Sequence, residues 1–321
     1  MGRRCLLPSP LREERGTELK RTVRALLDYG IEKFEKAGLS YGHGTTNALD
    51  EAAWLILCSL GLPPYELHPH LDEPVGAVQW TAAKALLDRR IRTRKPAAYL
   101  LNEAWLGDKR FYVDERVIVP RSYIAELLRE MGSGSFSDRT PKAFSATAES
   151  EPDPISRILD LCTGSGCLAI LAALKWPRAT VDAADLSDDA LAVAKRNVAD
   201  YRVGRRVRLV KSDLFAGFAG RTYDLVLSNP PYVTAAAMRR LPEEYRKEPA
   251  MALASGVDGL RHTRAILTAA SAHLNPGGRL VVEIGHNRKA LEKAFPKLAF
   301  EWPKTSGGRG FVLVLQRENL P

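Results

Sequence analysis

RILDLCTGSGCLAI, residues 157 to 170, sets a five-residue strand candidate, RILDL, against a glycine-bearing turn and an apolar run. The first run reads as a buried strand and the second as the start of a helix, with Gly164 and Gly166 at the junction. Glycines at such a junction let the backbone approach a ligand closely. A lone G-x-G is weak evidence, because any tight strand–helix turn can use it. A phosphate loop of the Walker type would need Gly-Lys-Ser/Thr where this chain has Gly166-Cys167-Leu168. Ala169 stands where the third small residue of a dinucleotide loop belongs, so the loop alone leaves NAD open.

Toward the C-terminus the pattern repeats as strand, helix, strand, helix. Strands are expected at 179–185 (ATVDAAD), 206–213 (RVRLVKSD), 223–228 (YDLVLS), 278–284 (GRLVVEI) and 311–316 (FVLVLQ). Between two of them LSDDALAVAKRNVADY carries Ala190, Leu191, Ala194 and Val198 on one helical face. The fold class that follows is α/β, with a mostly parallel, doubly wound, Rossmann-like sheet covered on both sides.

The strand ends carry the chemistry. Asp185 closes the second strand, where a carboxylate can accept from both ribose hydroxyls of a nucleoside, and Asp213 closes the third, where it could accept from an adenine amino group with Leu214 against the ring. Singly, each acid also suits a helix N-cap or a solvated loop. Together they line up at the carboxyl edge, where open α/β sheets bind ligands. The fourth strand ends in Asn229-Pro230-Pro231-Tyr232. Two adjacent prolines remove two backbone donors and fix two φ angles, more rigidity than a mere turn requires.

Upstream, the first third reads as helical. Val23, Leu26, Leu27, Ile31 and Phe34 share a face; a second helix starts at an Asn47 N-cap and ends near Gly61; a third spans about 75–93 and runs into the basic stretch DRRIRTRKP, read as a solvated face. His68 and His70 fall in a surface loop. AWLGDKRFYVDERVIVP (104–120) reads as a hairpin joining two domains. The expected organisation is a leader at 1–18, a helical substrate-recognition domain at 19–103, hairpin and connecting helix at 104–130, a Ser/Gly/Pro-rich linker or loop insertion at 131–154, and a catalytic domain at 155–321.

Composition narrows the class. The 321 residues are 45% hydrophobic with a net charge of +9, enough apolar content for two cores and a balance that favours an acidic or nucleic-acid-rich environment. Cys5, Cys58, Cys162 and Cys167 form no CxxC pair, which speaks for a reducing compartment, and the six histidines show no metal-ligand spacing. No run approaches 18 apolar residues, so a membrane span is not expected, and the leader with Glu13 and Glu14 is a poor transit peptide. A cytoplasmic protein without metal is the expectation.

These motifs resemble the class I S-adenosylmethionine-dependent methyltransferases, and Asn-Pro-Pro-Tyr resembles the motif of those that methylate a planar amino or amide nitrogen. The resemblance implies S-adenosyl-L-methionine as cofactor, held by Asp160, Cys162, Thr163, Gly164, Ser165, Gly166, Asp185, Asp213, Leu214 and Asn229. It implies that the Asn229 side-chain oxygen and the Pro230 carbonyl accept the two hydrogens of the target amide, while Tyr232 packs against the planar group and Pro231 holds the turn. YGHGTTNALDEA (41–52), RKPAAYLLNEAWLGDKRFYVDERVIVPRS (94–122) and NPPYVTAAAMRRLPEEYRKEPAMALASGVDGL (229–260) further resemble the PrmB branch of protein-glutamine methyltransferases, related to the release-factor enzymes. The implied substrate is a glutamine of large-subunit ribosomal protein three. Contact with ribosomal RNA through RRIRTRK (89–95) and RVGRRVR (202–208) is open, as is a solvated-face reading. Two features depart from the branch: the long 131–154 segment, and Tyr123 where a proline is expected after Pro120-Arg121-Ser122. The alternatives are an exocyclic amino group in RNA or DNA, a release-factor glutamine, or a ribosome-assembly factor that binds the cofactor without turnover.

Overall fold

The computed structural model describes residues 21–131 and 155–321; the leader, and the 131–154 segment beyond its first residue, lie outside the described residues. Helix α1 (Val23–Lys36) starts at Thr22, whose hydroxyl accepts from the Ala25 amide, and buries Val23, Leu26, Leu27 and Phe34. Helix α2 (Ala48–Leu60) starts at Asn47, whose side chain accepts from the Asp50 amide, and stops at Gly61 in the left-handed region. PYELHPH is not all loop: α3 (Leu67–His70) is a single helical turn. Helices α4 (Ala77–Thr93) and α5 (Ala97–Leu101) complete the helical region. At Gly30 a β-carbon would sit 3.0 Å from the Ala52 methyl and 3.3 Å from Leu87, so glycine lets α1 close onto α2 and α4.

The hairpin forms as expected, β1 (Ala104–Leu106) against β2 (Lys109–Phe111) around Gly107-Asp108. Ala104 packs into the helical core, whereas Leu106 and Phe111 pack into the core under the large sheet. Helix α6 (Ile124–Glu130) follows.

Beyond the undescribed stretch run β3 (Arg157–Leu161), α7 (Cys167–Lys175), β4 (Thr180–Asp185), α8 (Asp188–Asp200), β5 (Val207–Lys211), β6 (Tyr223–Ser228), the short α9 (Ala235–Met238), α10 (Arg261–Ala269), β7 (Leu274–Glu283), α11 (Arg288–Ala294), a two-residue hairpin β8 (Lys304–Thr305) and β9 (Gly308–Arg309), and β10 (Val312–Gln316). Six strands form one sheet in the order β5-β4-β3-β6-β7-β10, parallel except for β10. Strand β7 begins earlier than Gly278, because a register shift lets Leu274 pair with Tyr223. On α8 the buried face is Ala190, Val193, Ala194, Asn197 and Val198; Leu191 is only half-buried. Helices α6 and α7 pack on one face of the sheet and α10 and α11 on the other. Strand order reverses between β3 and β6, so the carboxyl ends of those two strands flank the switch point where such sheets hold ligands. Among the described residues no helix is long and apolar enough to cross a membrane.

Candidate active site

At that switch point lies a partly open cavity. Its walls include Cys162, Gly164, Asp185, Ser187, Ser212, Asp213, Leu214, Asn229 and Pro231. Three successive strand ends and the Asn-Pro-Pro-Tyr turn therefore meet in one place.

The glycine loop is held from both sides. Cys162, Gly164 and Gly166 all have φ in the left-handed region, at 58°, 55° and 80°. At Gly164 a β-carbon would meet nothing within 4 Å, so the backbone faces open space; at Gly166 one would lie 3.1 Å from the Ala194 methyl of α8. The Thr163 amide donates to the Ala184 carbonyl, and the Gly164 amide donates to Asp185 Oδ2 at 2.9 Å. Asp185 Oδ1 accepts from the Ser187 amide at 2.9 Å. Burial raises the Asp185 carboxyl, against the pull of those two amides. Asp213 is exposed at the rim; it occupies the N-cap position of a 3-10 turn yet makes no side-chain cap bond, which leaves its carboxylate available. Leu214 is held at φ 46° by Ser212, whose hydroxyl donates to the Leu214 carbonyl at 2.8 Å and accepts from the Gly217 amide.

Four of the expected cofactor residues do not line the cavity: Asp160, Thr163, Ser165 and Gly166. Asp160 is fully buried beneath the loop, where Oδ2 accepts from Thr163 Oγ1 at 2.5 Å and the Ala169 amide at 3.1 Å. Burial raises its carboxyl to about 7, and Oδ1 has no hydrogen-bond partner among the described residues. It braces the loop from below. Ser165 is tied elsewhere: Asn197 Nδ2 donates to its carbonyl at 2.9 Å and to the Tyr112 carbonyl at 3.0 Å, while Asn197 Oδ1 accepts from the Tyr112 amide. One buried asparagine thus couples the loop to the chain leaving the hairpin.

The Asn-Pro-Pro-Tyr turn is fixed by its neighbours rather than by itself. Ser228 Oγ donates to the Leu161 carbonyl at 3.0 Å, and Val233 exchanges backbone hydrogen bonds with Leu253 and Ser255. Asn287 Nδ2 donates to the Tyr232 carbonyl at 2.7 Å. Gly259 leaves room there, since a β-carbon would fall 2.4 Å from that carbonyl. Asn229 is half-buried in the wall and its side-chain amide makes no hydrogen bond to a described residue. Pro230 is buried behind it, and Tyr232 is half-buried outside the cavity lining, its hydroxyl donating to Glu283 at 3.4 Å.

Sequence reading missed the far wall. Arg116, Val117 and Ile118, from the chain following the hairpin, and Pro249, Met251, Ala252 and His262 complete the cavity. His262 Nδ1 lies 2.9 Å from Ser255 Oγ, and burial lowers its pKa, so the ring is neutral near pH 7. Its signal was the GVDGL turn before α10, where Gly256 and Gly259 both have φ in the left-handed region and steer the helix start toward the site.

The two basic runs also need correction. Arg90 is completely buried, bound to Glu51 Oε1 at 2.6 Å with Glu244 at 3.6 Å, and Arg94 pairs with Glu244 at 3.0 Å. Arg206 donates to the carbonyls of Ala173, Trp176 and Ala179, and Arg208 pairs with Asp182. These side chains hold the fold together.

A methyltransferase small domain matches residues 138–256, and a PrmC N-terminal domain matches residues 25–101. Over 299 residues, 93% of this chain and 94% of the relative, the sequence is 51% identical to the ribosomal protein uL3 glutamine methyltransferase of Neisseria meningitidis serogroup B. The protein of that name from Bordetella pertussis is 48% identical over 93% of this chain and 96% of its own. The one from Bradyrhizobium diazoefficiens is 44% identical over 91% and 89%.

The chain belongs to the ribosomal protein uL3 glutamine methyltransferases.

The enzyme's methyl donor is S-adenosylmethionine. The cavity suits it: an open backbone at Gly164, a carboxylate at Asp185 and another at Asp213, with Cys162 and Leu214 as less polar walls. Bound there, the donor supplies an electrophilic sulfonium methyl.

Proposed function

We propose that the enzyme methylates the side-chain amide nitrogen of a glutamine in ribosomal protein uL3. The observation that carries the reading is the Asn229 amide, without a hydrogen-bond partner among the described residues, in the cavity wall on a turn that its neighbours hold in place. An amide nitrogen is a poor nucleophile because its lone pair is delocalised into the carbonyl. Asn229 Oδ1 and the Pro230 carbonyl accept its two hydrogens, aim the nitrogen at the donor and favour the positive charge that grows on it as the carbon–nitrogen bond forms and the carbon–sulfur bond breaks. Positioning and electrostatics supply the acceleration; the sulfur keeps the pair of the broken carbon–sulfur bond, and one amide proton passes to solvent. Asp185 orients the donor's ribose and Asp213 its adenine. The ordered loop and its buried brace, Asp160, mean that little has to rearrange when the donor binds.

The helical region supplies substrate recognition, and the reaction takes place in the cytoplasm, where uL3 enters the ribosome. Contact with ribosomal RNA falls to Arg89, Arg92, Arg202 and Arg205, which are exposed and form no ion pair with a described residue. The test separates protein from nucleic acid as substrate. Purified enzyme with free uL3 should transfer label from S-adenosylmethionine with at most a mild dependence on salt. Label that appears only in RNA, with affinity falling by orders of magnitude between about 50 and 200 mM salt as several phosphate contacts require, would overturn the reading.

A further inference from the structure

Glu283, the last residue of β7, is 2% exposed and takes no part in the chemistry so far described. Its Oε2 accepts from Ser122 Oγ at 2.6 Å and from the Tyr123 amide at 2.9 Å; its Oε1 accepts from the Tyr232 hydroxyl at 3.4 Å. Two residues on, Gly285 has φ 56°, and a β-carbon there would lie 2.7 Å from the Tyr232 ring. Strand end and glycine together form a socket for the tyrosine.

The surrounding charges come from three other segments. Arg121 faces the carboxyl, but its two terminal nitrogens are committed to Glu248 at 2.6 and 2.7 Å. Tyr123 faces it from the start of α6, with Glu126 behind, bonded to Ser306. Glu248 and Tyr245 face Tyr232 and Arg121 from the chain following α9. Burial raises the Glu283 carboxyl to about 7 against the pull of Ser122, Tyr123 and Arg121. Burial also pushes the Tyr232 phenol up, so it stays a donor.

We propose that Glu283 is a positioning residue for methyl transfer: its carboxylate holds the Tyr232 hydroxyl, and through it the Asn229–Pro231 turn, against the end of β7. The inference rests on reading that turn as the transfer site. With Oε2 filled by two donors, an arriving proton settles on Oε1, the oxygen that Tyr232 uses. Protonated, Oε1 no longer accepts from the phenol and can keep the pair only as a donor to it, which turns the Tyr232 hydroxyl hydrogen away and leaves its packing on Gly285 and the Asn287 bond to its carbonyl as before. Turnover therefore falls on the acid side as pH drops through about 7. The departure from proline at Tyr123 belongs to the same device, since proline has no N–H to give Glu283. The φ of −66° at Tyr123 suits proline, so Tyr123→Pro removes that donor without backbone strain at φ, and should move the acid limb to higher pH.

The experiment measures turnover with uL3 against pH for the full-length chain and for Glu283→Gln, Tyr232→Phe and Tyr123→Pro. Glu283→Gln and Tyr232→Phe should each lower the plateau about tenfold and flatten the acid limb, and the double variant should lose no more than either single one. Donor affinity by calorimetry should stay within about twofold, since neither residue lines the cavity. An unchanged limb in Glu283→Gln, or fully additive losses, overturns the proposal. If Glu283→Gln does not fold, Tyr232→Phe decides alone, because it leaves the Ser122 and Tyr123 bonds intact. The Tyr232 ring resonance gives a readout independent of substrate. It should titrate near pH 7 in the wild type and not in Glu283→Gln. A resonance that does not move sinks the link even if uL3 proves to be the wrong substrate.

Discussion

Asp160 and Asp185 sit at or next to the ends of the first two parallel strands, yet they are placed differently. Asp185 faces the cavity with both oxygens already steadied by the Gly164 and Ser187 amides, and the proposed ribose contact would use the lone pairs that remain. Replacing Asp185 by Ala should weaken S-adenosylmethionine by about tenfold or more, the value of one or two charge-assisted hydrogen bonds. Calorimetry that finds the affinity unchanged removes the ribose contact. The resemblance implies Asp160 as a cofactor residue, but period-2 alternation places it below the loop and not on the cavity wall. Ile158 belongs to one buried cluster and Leu159 and Leu161 to the cluster on the opposite face, so Asp160 points with Ile158 into the interior beneath the loop. Its placement was legible in the strand's alternation, and its role as a brace was not, since that depends on Thr163 and Ala169 folding back over it.

Helix α4 shows how a charge run misleads. DRRIRTRKP looks solvated when read as composition, yet Ala83, Leu87 and Arg90 recur at spacings of four and three and are its buried residues. Arg90 is on the core stripe, and its guanidinium is balanced by Glu51 of α2 and Glu244, 154 positions away in sequence. The spacing was visible in the chain, whereas the acid that makes it tolerable was not, because long-range pairing has no local signature. Replacing Arg90 by Met leaves the buried Glu51 carboxylate without its cation, while Glu244 keeps Arg94. That should cost about 3–5 kcal/mol in urea denaturation. A loss below about 1 kcal/mol would mean that Arg90 contributes only packing. The hairpin and α2, by contrast, follow from local rules alone: a Gly-Asp turn and an Asn cap with a glycine stop.

Across the whole molecule, the helical region and the catalytic sheet are joined by a second buried cluster. Glu248 receives both terminal nitrogens of Arg121 and the Val119 amide, and His43 Nε2 lies 3.5 Å away. The Tyr245 ring lies 4.2 Å from that of His43, and its hydroxyl occupies the space that a side chain on Gly42 would need. Burial alone would raise the Glu248 carboxyl, but Arg121 and then His43 hold it down to about 2. A depressed carboxyl contributes stability above its unfolded pKa and loses it as pH falls through the folded value. The chain should therefore lose stability between about pH 4.5 and 2, and Glu248→Gln should be less stable at neutral pH and flatter across that window. A variant that retains the wild-type slope would assign acid sensitivity to other groups. The doubly wound sheet was legible because its strands are short apolar runs separated by helices. The antiparallel β10 and the far cavity wall were not, since both depend on how distant segments return to the sheet.

The central claim is that Asn229 presents a glutamine amide of uL3 to the donor, and one measurement addresses it directly. Wild-type enzyme and Asn229→Ala are incubated with labelled S-adenosylmethionine and unmethylated uL3, donor binding is measured in parallel, and mass spectrometry locates the label. The wild type should place one methyl on a glutamine side-chain nitrogen, and Asn229→Ala should transfer none while still binding the donor. Label on any other atom, or near-normal turnover by Asn229→Ala, would contradict it.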